Sequence, residues 1–266
     1  MKSISLSTAI LLLMLGLAAQ GADFDQTHAT WNKVLSEYVV PANKTTKVKY
    51  AELSKKQDQL DSYLQTVSAV NPADYNTWNE KQKLAFLFNA YNAFTLKLIV
   101  QELVKNSELK SIKKIGGVFS SPWKIKFFQF LGKESFLDDI EQNIARKNFD
   151  EPRMHFAFNC ASIGCPALQL FAFTADKLDI QLDTATHNFF KDESRNSLDS
   201  GRSTLGLSSI LKWYKDDFEN SKRLGPLRKF LSTYYPFTPE QLKKFETGQY
   251  DIKYLPYDWN LNAVTK

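Results

Sequence analysis

Apolar positions recur along most of this chain at helical spacing. Trp31, Val34, Leu35, Tyr38 and Val39 fall three and four apart, as do Leu60, Tyr63, Leu64 and Val67, which predicts two amphipathic helices. Thr77-Trp78-Asn79-Glu80 reads as a capping box. It opens a longer helix through Leu84, Leu87, Phe88, Tyr91, Phe94, Leu98 and Val104. That segment is apolar on nearly every side from Leu84 to Val100, so it is predicted as the buried centre of the fold. Further helices are predicted from Thr174, from Ser208, near Pro226 and from Thr238. In the last, Thr238-Pro239-Glu240-Gln241 supplies cap, first-position proline and capping partner together.

Elsewhere the period changes to two. Trp123, Ile125 and Phe127 alternate, Gly132-Lys133 suits a hairpin turn, and Ser135 suits the cap of a following helix. Met154, Phe156, Phe158 and Cys160 alternate with Arg153, His155, Ala157 and Asn159, the pattern of a strand with one apolar face. A helix with Pro152 at its first position competes for the same residues, and both readings stand. Tyr250, Ile252 and Tyr254 predict a late strand, and the polar run Lys191 to Ser203 predicts a long loop or a weak boundary. No internal repeat or low-complexity linker interrupts the chain. The expectation is an α+β fold, one helix-rich domain with a buried central helix and a small sheet.

Composition narrows the class. Hydrophobic residues make up 43% and aromatic residues 14% of the chain, which excludes disorder. The formal charge of +5 is spread among acids rather than gathered in a stripe, so no nucleic-acid partner is expected. Lys2, the apolar run Ile10 to Leu17 and the small residues of Ala19-Gln20-Gly21 form a signal-peptide pattern over residues 1–21. Its removal leaves a globular chain over 22–266 with no stable membrane anchor, placed in the periplasm or secreted. The compartment is then oxidising, and two cysteines five residues apart, Cys160 and Cys165, are suited to pair with each other.

Candidate chemistry gathers in Arg153 to Pro166. Pro166 suits the first position of a helix, which would leave Cys165 near the N-cap, where free backbone N–H groups favour a thiolate. His155 is then the candidate base. On the strand reading Cys160 points away from the His155 face, which favours Cys165 as the reactive sulfur. The plainer reading is a Cys160–Cys165 disulfide tightening a loop, and a redox pair is a third, although Cys-x4-Cys is not the thioredoxin spacing. Asp258 either orients His155 or caps a turn, and Trp259 belongs to an aromatic tail suited to line a groove. Arg153 either holds a substrate carboxylate or pairs with Glu141. Asn89, Asn92 and Asn159 are candidates for orienting this loop, and buried amides also serve to satisfy backbone groups. His28 is expected at the start of a surface helix and His187 in solvent. Three scattered histidines without metal spacing, and Gly116-Gly117 standing alone as a turn, point to no metal, no phosphate loop and no cofactor. The partner is an unknown small-molecule, peptide or protein substrate.

Several strings together resemble one family. They are Phe88-Asn89-Ala90-Tyr91-Asn92-Ala93-Phe94-Thr95, Leu137-Asp138-Asp139-Ile140-Glu141, Pro152 through Ser162, Gly164-Cys165-Pro166, Trp213 through Phe218, and Tyr257 through Asn262. In this order they look like the domain of unknown function 547 family, over about residues 48–262. The resemblance carries no settled activity. Relatives of this kind occur fused to glutaredoxin-like domains, which implies thiol chemistry, and the His–Cys pattern invites a papain-like analogy at the level of fold. Many relatives have a histidine after the glutamate matching Glu141, and Gln142 stands in that place here. The resulting expectation is a thiol-dependent hydrolase or transferase acting on an amide or thioester. Its alternatives are a non-enzymatic binding or accessory protein and a thiol–disulfide exchange protein.

Overall fold

From Leu84 to Val100 every residue but Lys97 is buried, and these residues lie within one helix of 26 residues, Glu80–Lys105. The computed structural model describes residues 23–117 and 120–264, and the predicted signal peptide lies outside them. The helices Ala29–Tyr38 and Asp58–Ala69 pack together beside this centre, with Trp31 stacked on Tyr63 at 5.7 Å between ring centroids. The predicted apolar stripes of these three helices face this first core, except Val104, which is exposed. A fully buried aromatic side chain is worth about 1.5–3 kcal/mol, so these contacts dominate the stability of this half.

A second core is built around Phe156, Phe189, Phe190, Phe218, Phe230 and Phe245. The helices Leu178–Phe190 and Leu227–Tyr234 contribute to it, as does a three-stranded sheet. In that sheet Thr204–Ser208 runs antiparallel to Ser197–Asp199 and parallel to Asp251–Leu255. Two antiparallel hairpins, Val39–Ala42 with Thr45–Val48 and Phe128–Phe130 with Lys133–Ser135, complete the sheets among the described residues. The molecule is helix-rich with small sheets, an α+β architecture.

Several local expectations are corrected. The capping box of the long helix is Asn79 with Gln82, two residues beyond the predicted one, because Pro72–Thr77 is already its own short helix. The alternation of Trp123, Ile125 and Phe127 is not a strand, since Pro122–Lys124 forms a 3₁₀ turn. The hairpin that follows turns at Leu131-Gly132, both with positive φ (48° and 77°), as a primed two-residue turn requires. Ser135 ends that hairpin and caps no helix. The helix expected from Thr174 begins at Leu178, and the polar run after Lys191 contains the strand Ser197–Asp199. No helix follows Pro166, so Cys165 has no N-cap position.

The segment carrying His155 is a 3₁₀ helix, Pro152–Phe156, with Pro152 at its first position and the Glu151 carboxylate accepting from the Arg153 N–H at 3.1 Å. Its period-two pattern arises because the segment runs between the two cores. Met154, Ala157, Phe158 and Ala161 enter the first core and Phe156 the second. Apolar residues on both sides of a tight helix imitate a strand.

His28 is the other correction. It is 1% exposed, caps the helix Ala29–Tyr38 in the left-handed conformation, and its Nδ1 lies 2.7 Å from the Tyr63 hydroxyl. Burial pushes its pKa down to about 4, against a smaller upward pull from Asp25. Between pH 6.5 and 4 the unfolded chain therefore takes up a proton that the folded protein refuses. This contribution is fully present above pH 6.5 and is lost as the pH falls through that window, by about 3 kcal/mol in all. Denaturant unfolding at pH 7 and pH 4 should show that loss reduced by about this amount in His28→Gln. Equal losses in both proteins would place the pH dependence elsewhere.

Candidate functional site

Where the two cores meet, the chain leaves an open cavity of about 240 Å³. Three groups of polar atoms line it, each held by a different part of the sequence.

The first group is sulfur. Cys160 and Cys165 are joined in a disulfide with their Cα atoms 6.1 Å apart. Ala161 turns the loop with a φ of 61°, and the tail lies along it through Ile163 N–H to Asn260 O and Gly164 N–H to Asp258 O, both 2.8 Å. A Cβ on Gly164 would sit 3.0 Å from the Tyr257 ring, so glycine lets that ring approach. The Tyr257 hydroxyl lies 3.1 Å from Cys165 Sγ and 3.2 Å from Cys160 Sγ, and the Cys160 N–H points at Cys165 Sγ from 2.8 Å. Cys165 is 4% exposed, while Cys160 is only half-buried.

The second group is acid. Asp139–Ala145 is a π-helical stretch, a rare form that is frequent at functional sites. It places Glu141 in the cavity, with Asp138 just before it. The Tyr214 hydroxyl donates to Glu141 Oε1 at 2.7 Å. Burial raises the Glu141 pKa, more than the hydrogen bonds from Tyr214 and Tyr91 lower it. Asp138 is raised too, again chiefly by burial.

The third group is the imidazole. His155 Nε2 lies 2.7 Å from Asp217 Oδ2, and Arg146 holds the same carboxylate through Nε at 2.6 Å and Nη2 at 2.7 Å. The His155 ring stacks on Tyr214 at 3.9 Å, and Arg146 covers Tyr214 at 4.8 Å. Burial lowers the pKa of His155 more than the Asp217 hydrogen bond raises it, so the ring is held toward its neutral form. Burial alone would raise Asp217, but the His155 and Arg146 hydrogen bonds outweigh it and hold the acid well below its ordinary range. With a carboxylate at Nε2, the neutral ring carries its proton there, leaving a bare lone pair on Nδ1. That atom has no partner among the described residues.

At the mouth, Trp213 stacks on Trp259 at 5.7 Å, Trp123 meets Trp259 edge-on, and Trp213 is 48% exposed. Among the described residues no three acidic, histidine or cysteine side chains are arranged to hold a metal ion.

The structure thus brings Cys160, Cys165, His155, Glu141 and Trp259 to one cavity. Asp258 is elsewhere occupied. Its carboxylate accepts from the Asn260 N–H and side-chain amide, so it caps its own turn, and the acid on His155 is Asp217. Arg153 pairs with Glu151, Asp179 and Asp183 rather than Glu141, and it lines no part of the cavity. Asn92 donates to Ala157 O at 2.9 Å and accepts from Asn159 N–H at 2.8 Å, while Asn89 makes the same pair of bonds to Phe173. Asn159 in turn holds Pro166 O and Ala161 N–H. These three amides shape the loop from behind. His187 is half-buried against Tyr234 rather than solvated.

Asp217, Tyr214, Arg146, Asp138 and Tyr257 carried no role in the sequence. Asp138, Tyr214, Asp217 and Tyr257 lie in strings that carry the family resemblance, and Arg146 lies in none of them.

Residues 75–190 match the family model described as "Protein of unknown function, DUF547". The resemblance holds over that segment, which includes both cysteines, His155 and Glu141; the strings around Tyr214 and Tyr257 lie outside it. No curated protein and no solved structure matches the chain significantly. No helix among the described residues is long and apolar enough to cross a membrane.

Proposed function

We propose that this chain, with its DUF547 segment over 75–190, is an exported thiol–disulfide exchange protein whose reactive group is the Cys160–Cys165 bond. The observation that carries the reading is the placement of two hydrogen-bond donors, the Cys160 N–H and the Tyr257 hydroxyl, on Cys165 Sγ. Donors aimed at a sulfur stabilise the thiolate it becomes on reduction. A substrate thiolate attacks the more exposed Cys160 Sγ, forming a mixed disulfide and releasing Cys165 as that stabilised thiolate. A second thiolate of the same dithiol substrate then attacks the substrate sulfur of the mixed disulfide. The substrate leaves as a disulfide, and Cys160 and Cys165 are left reduced. Glu141, whose pKa burial raises above the ordinary carboxylate value, is the cavity's candidate for holding a proton during exchange.

Export supplies the oxidising surroundings in which the bond re-forms. The mature protein recovered outside the cytosol should begin at Ala22, and intact mass reads this directly; a chain still carrying Met1 would remove the export reading.

Equilibration in glutathione buffers, followed by alkylation and mass analysis, tests the exchange. The bond should be half reduced between about −180 and −270 mV, the range of catalytic disulfides. A bond that stays oxidised below about −300 mV is structural, and the protein is then a binding or accessory protein. Tyr257→Phe removes a donor worth about 1.5 kcal/mol to a thiolate and should shift the midpoint by about 30 mV toward more negative values.

One observation favours a second reading. His155 Nδ1 is unpartnered, and its ring lines the same cavity as the sulfurs. Once reduced, a thiol-dependent hydrolase or transferase with Cys165 as nucleophile and His155 as base, the papain-like scheme, has its two groups in one cavity. Thioester cleavage by the reduced protein that is abolished in both Cys165→Ser and His155→Gln would favour it over exchange.

A further inference from the structure

The carboxyl groups that line the cavity, Asp138 and Glu141, face no lysine or arginine in its lining, and its walls are aromatic. Glu141 is 6% exposed and forms no ion pair among the described residues; Asp138, beside it, forms none either. The acid between them, Asp139, differs, because it turns away and pairs with Lys133. His155 lines the cavity too; it is 3% exposed, and its Nδ1 has no partner among the described residues. Burying a carboxylate without a cation is costly, and two in one small cavity repel each other as well. The positive groups nearby are turned elsewhere. Arg146 lies over Tyr214 and is committed to Asp217 and Gln142, Lys113 lies against Trp259 at 4.8 Å, and Lys124, which acts on Asp138, is exposed to solvent.

The rings complete the picture. Tyr91, Trp123, Tyr214, Tyr257 and Trp259 surround the acids, and a cation placed over such faces gains about 0.5–2 kcal/mol. Arg146 over Tyr214 and Lys113 over Trp259 show cations already settling against two of these rings.

We propose that the cavity beside the Cys160–Cys165 bond binds an organic cation with N–H donors, an ammonium or amidinium group, its head seated among Asp138, Glu141 and His155 and its body against the aromatic walls. An anion would meet two carboxylates without a facing cation. A neutral apolar ligand would strip water from both acids and return nothing. As the substrate class for exchange the proposal rests on the thiol–disulfide reading, but binding itself is measured on the oxidised protein and needs no exchange.

The test is titration calorimetry and tryptophan fluorescence of the full oxidised chain with benzylammonium, benzyl alcohol and benzoate, which share one ring and differ in the charge of the head. Benzylammonium should bind at least about tenfold more tightly than benzyl alcohol, equivalent to about 1.4 kcal/mol, and benzoate should not bind. Glu141→Gln should weaken benzylammonium at least about tenfold. If that variant does not fold, Asp138→Asn at the less buried edge should show the same direction with an unchanged circular dichroism spectrum. Equal binding of the alcohol, or indifference of both variants, overturns the cation site. A second arm compares reduction of the bond by cysteamine and by 2-mercaptoethanol, with faster reduction by the cationic thiol expected. Binding of benzylammonium by a protein whose bond no thiol reduces leaves the cation site standing and removes the exchange reading. A redox-active bond in a protein that ignores benzylammonium does the reverse.

Discussion

Replacing Arg153 by Met should lower the unfolding free energy by about 3 kcal/mol or more, the cost of breaking one side of a buried ion pair. The Arg153 side chain is 4% exposed and that of Glu151 1%. Its Nε and Nη2 reach Glu151 at 2.8 and 2.5 Å, Nη1 reaches Asp183 at 2.8 Å, and Nη2 also reaches Asp179 at 3.0 Å. Removing the guanidinium leaves Glu151 buried with the backbone N–H of residue 153 at 3.1 Å and one cation, Arg223, half out in solvent at 2.9 Å. The double variant Glu151→Gln with Arg153→Met should recover much of the loss, since the stranded charge goes with its partner. The pair also ties the 3₁₀ helix bearing His155 to the helix Leu178–Phe190. Urea unfolding of the three variants measures this, and a single-variant loss under about 1 kcal/mol would mean that Arg153 is dispensable to the fold. Arg153 is thus a fold-holding residue, with its donors already engaged.

Asn92→Ala should cost about 2–4 kcal/mol. It leaves the Ala157 carbonyl and the Asn159 N–H buried without partners, and each unsatisfied group costs about 1–3 kcal/mol. The effect should reach the sulfurs, because Asn159 holds the backbone on both sides of Cys160–Cys165 through Ala161 N–H and Pro166 O. Asn89→Ala is the control. It frees the same kinds of group at Phe173, away from the cysteine loop, and should cost similar stability while leaving the redox midpoint of the bond in place. Asn92→Asp keeps the acceptor for Asn159 and loses only the donor, so it should fall between wild type and Ala. Identical redox midpoints in Asn92→Ala and Asn89→Ala would show that the loop does not depend on Asn92.

The elements most legible in the sequence were those whose own residues bury them. The stripes of Trp31 to Tyr38 and of Leu60 to Val67, and the all-apolar run from Leu84 to Val100, could satisfy their side chains in one way only, as helices against a core. Thr238 to Gln241 forms its capping box as read, because the partners lie three residues apart. The strand at Tyr250 to Tyr254 likewise appears, as Asp251–Leu255. Reading failed where a residue's surroundings come from afar. The alternation from Arg153 to Cys160 left strand and helix undecided because cores from two parts of the chain flank a 3₁₀ helix, and His28 was placed on a surface helix although Tyr63 covers it from 35 residues away.

The sequence by itself determined the main helices, the segment that holds His155 and both cysteines, and the short loop between those cysteines, since each of these depends on residues within a few positions of one another. The tertiary structure decided what faces that segment. Asp217, 62 positions from His155, takes the imidazole that Asp258 was one candidate to orient, and Tyr257, 92 positions from Cys165, places its hydroxyl on the sulfurs. Hydrogen bonds and charge interactions act over a few ångströms of space whatever the separation along the chain. The character of the cavity was therefore fixed only when the second core folded against the first.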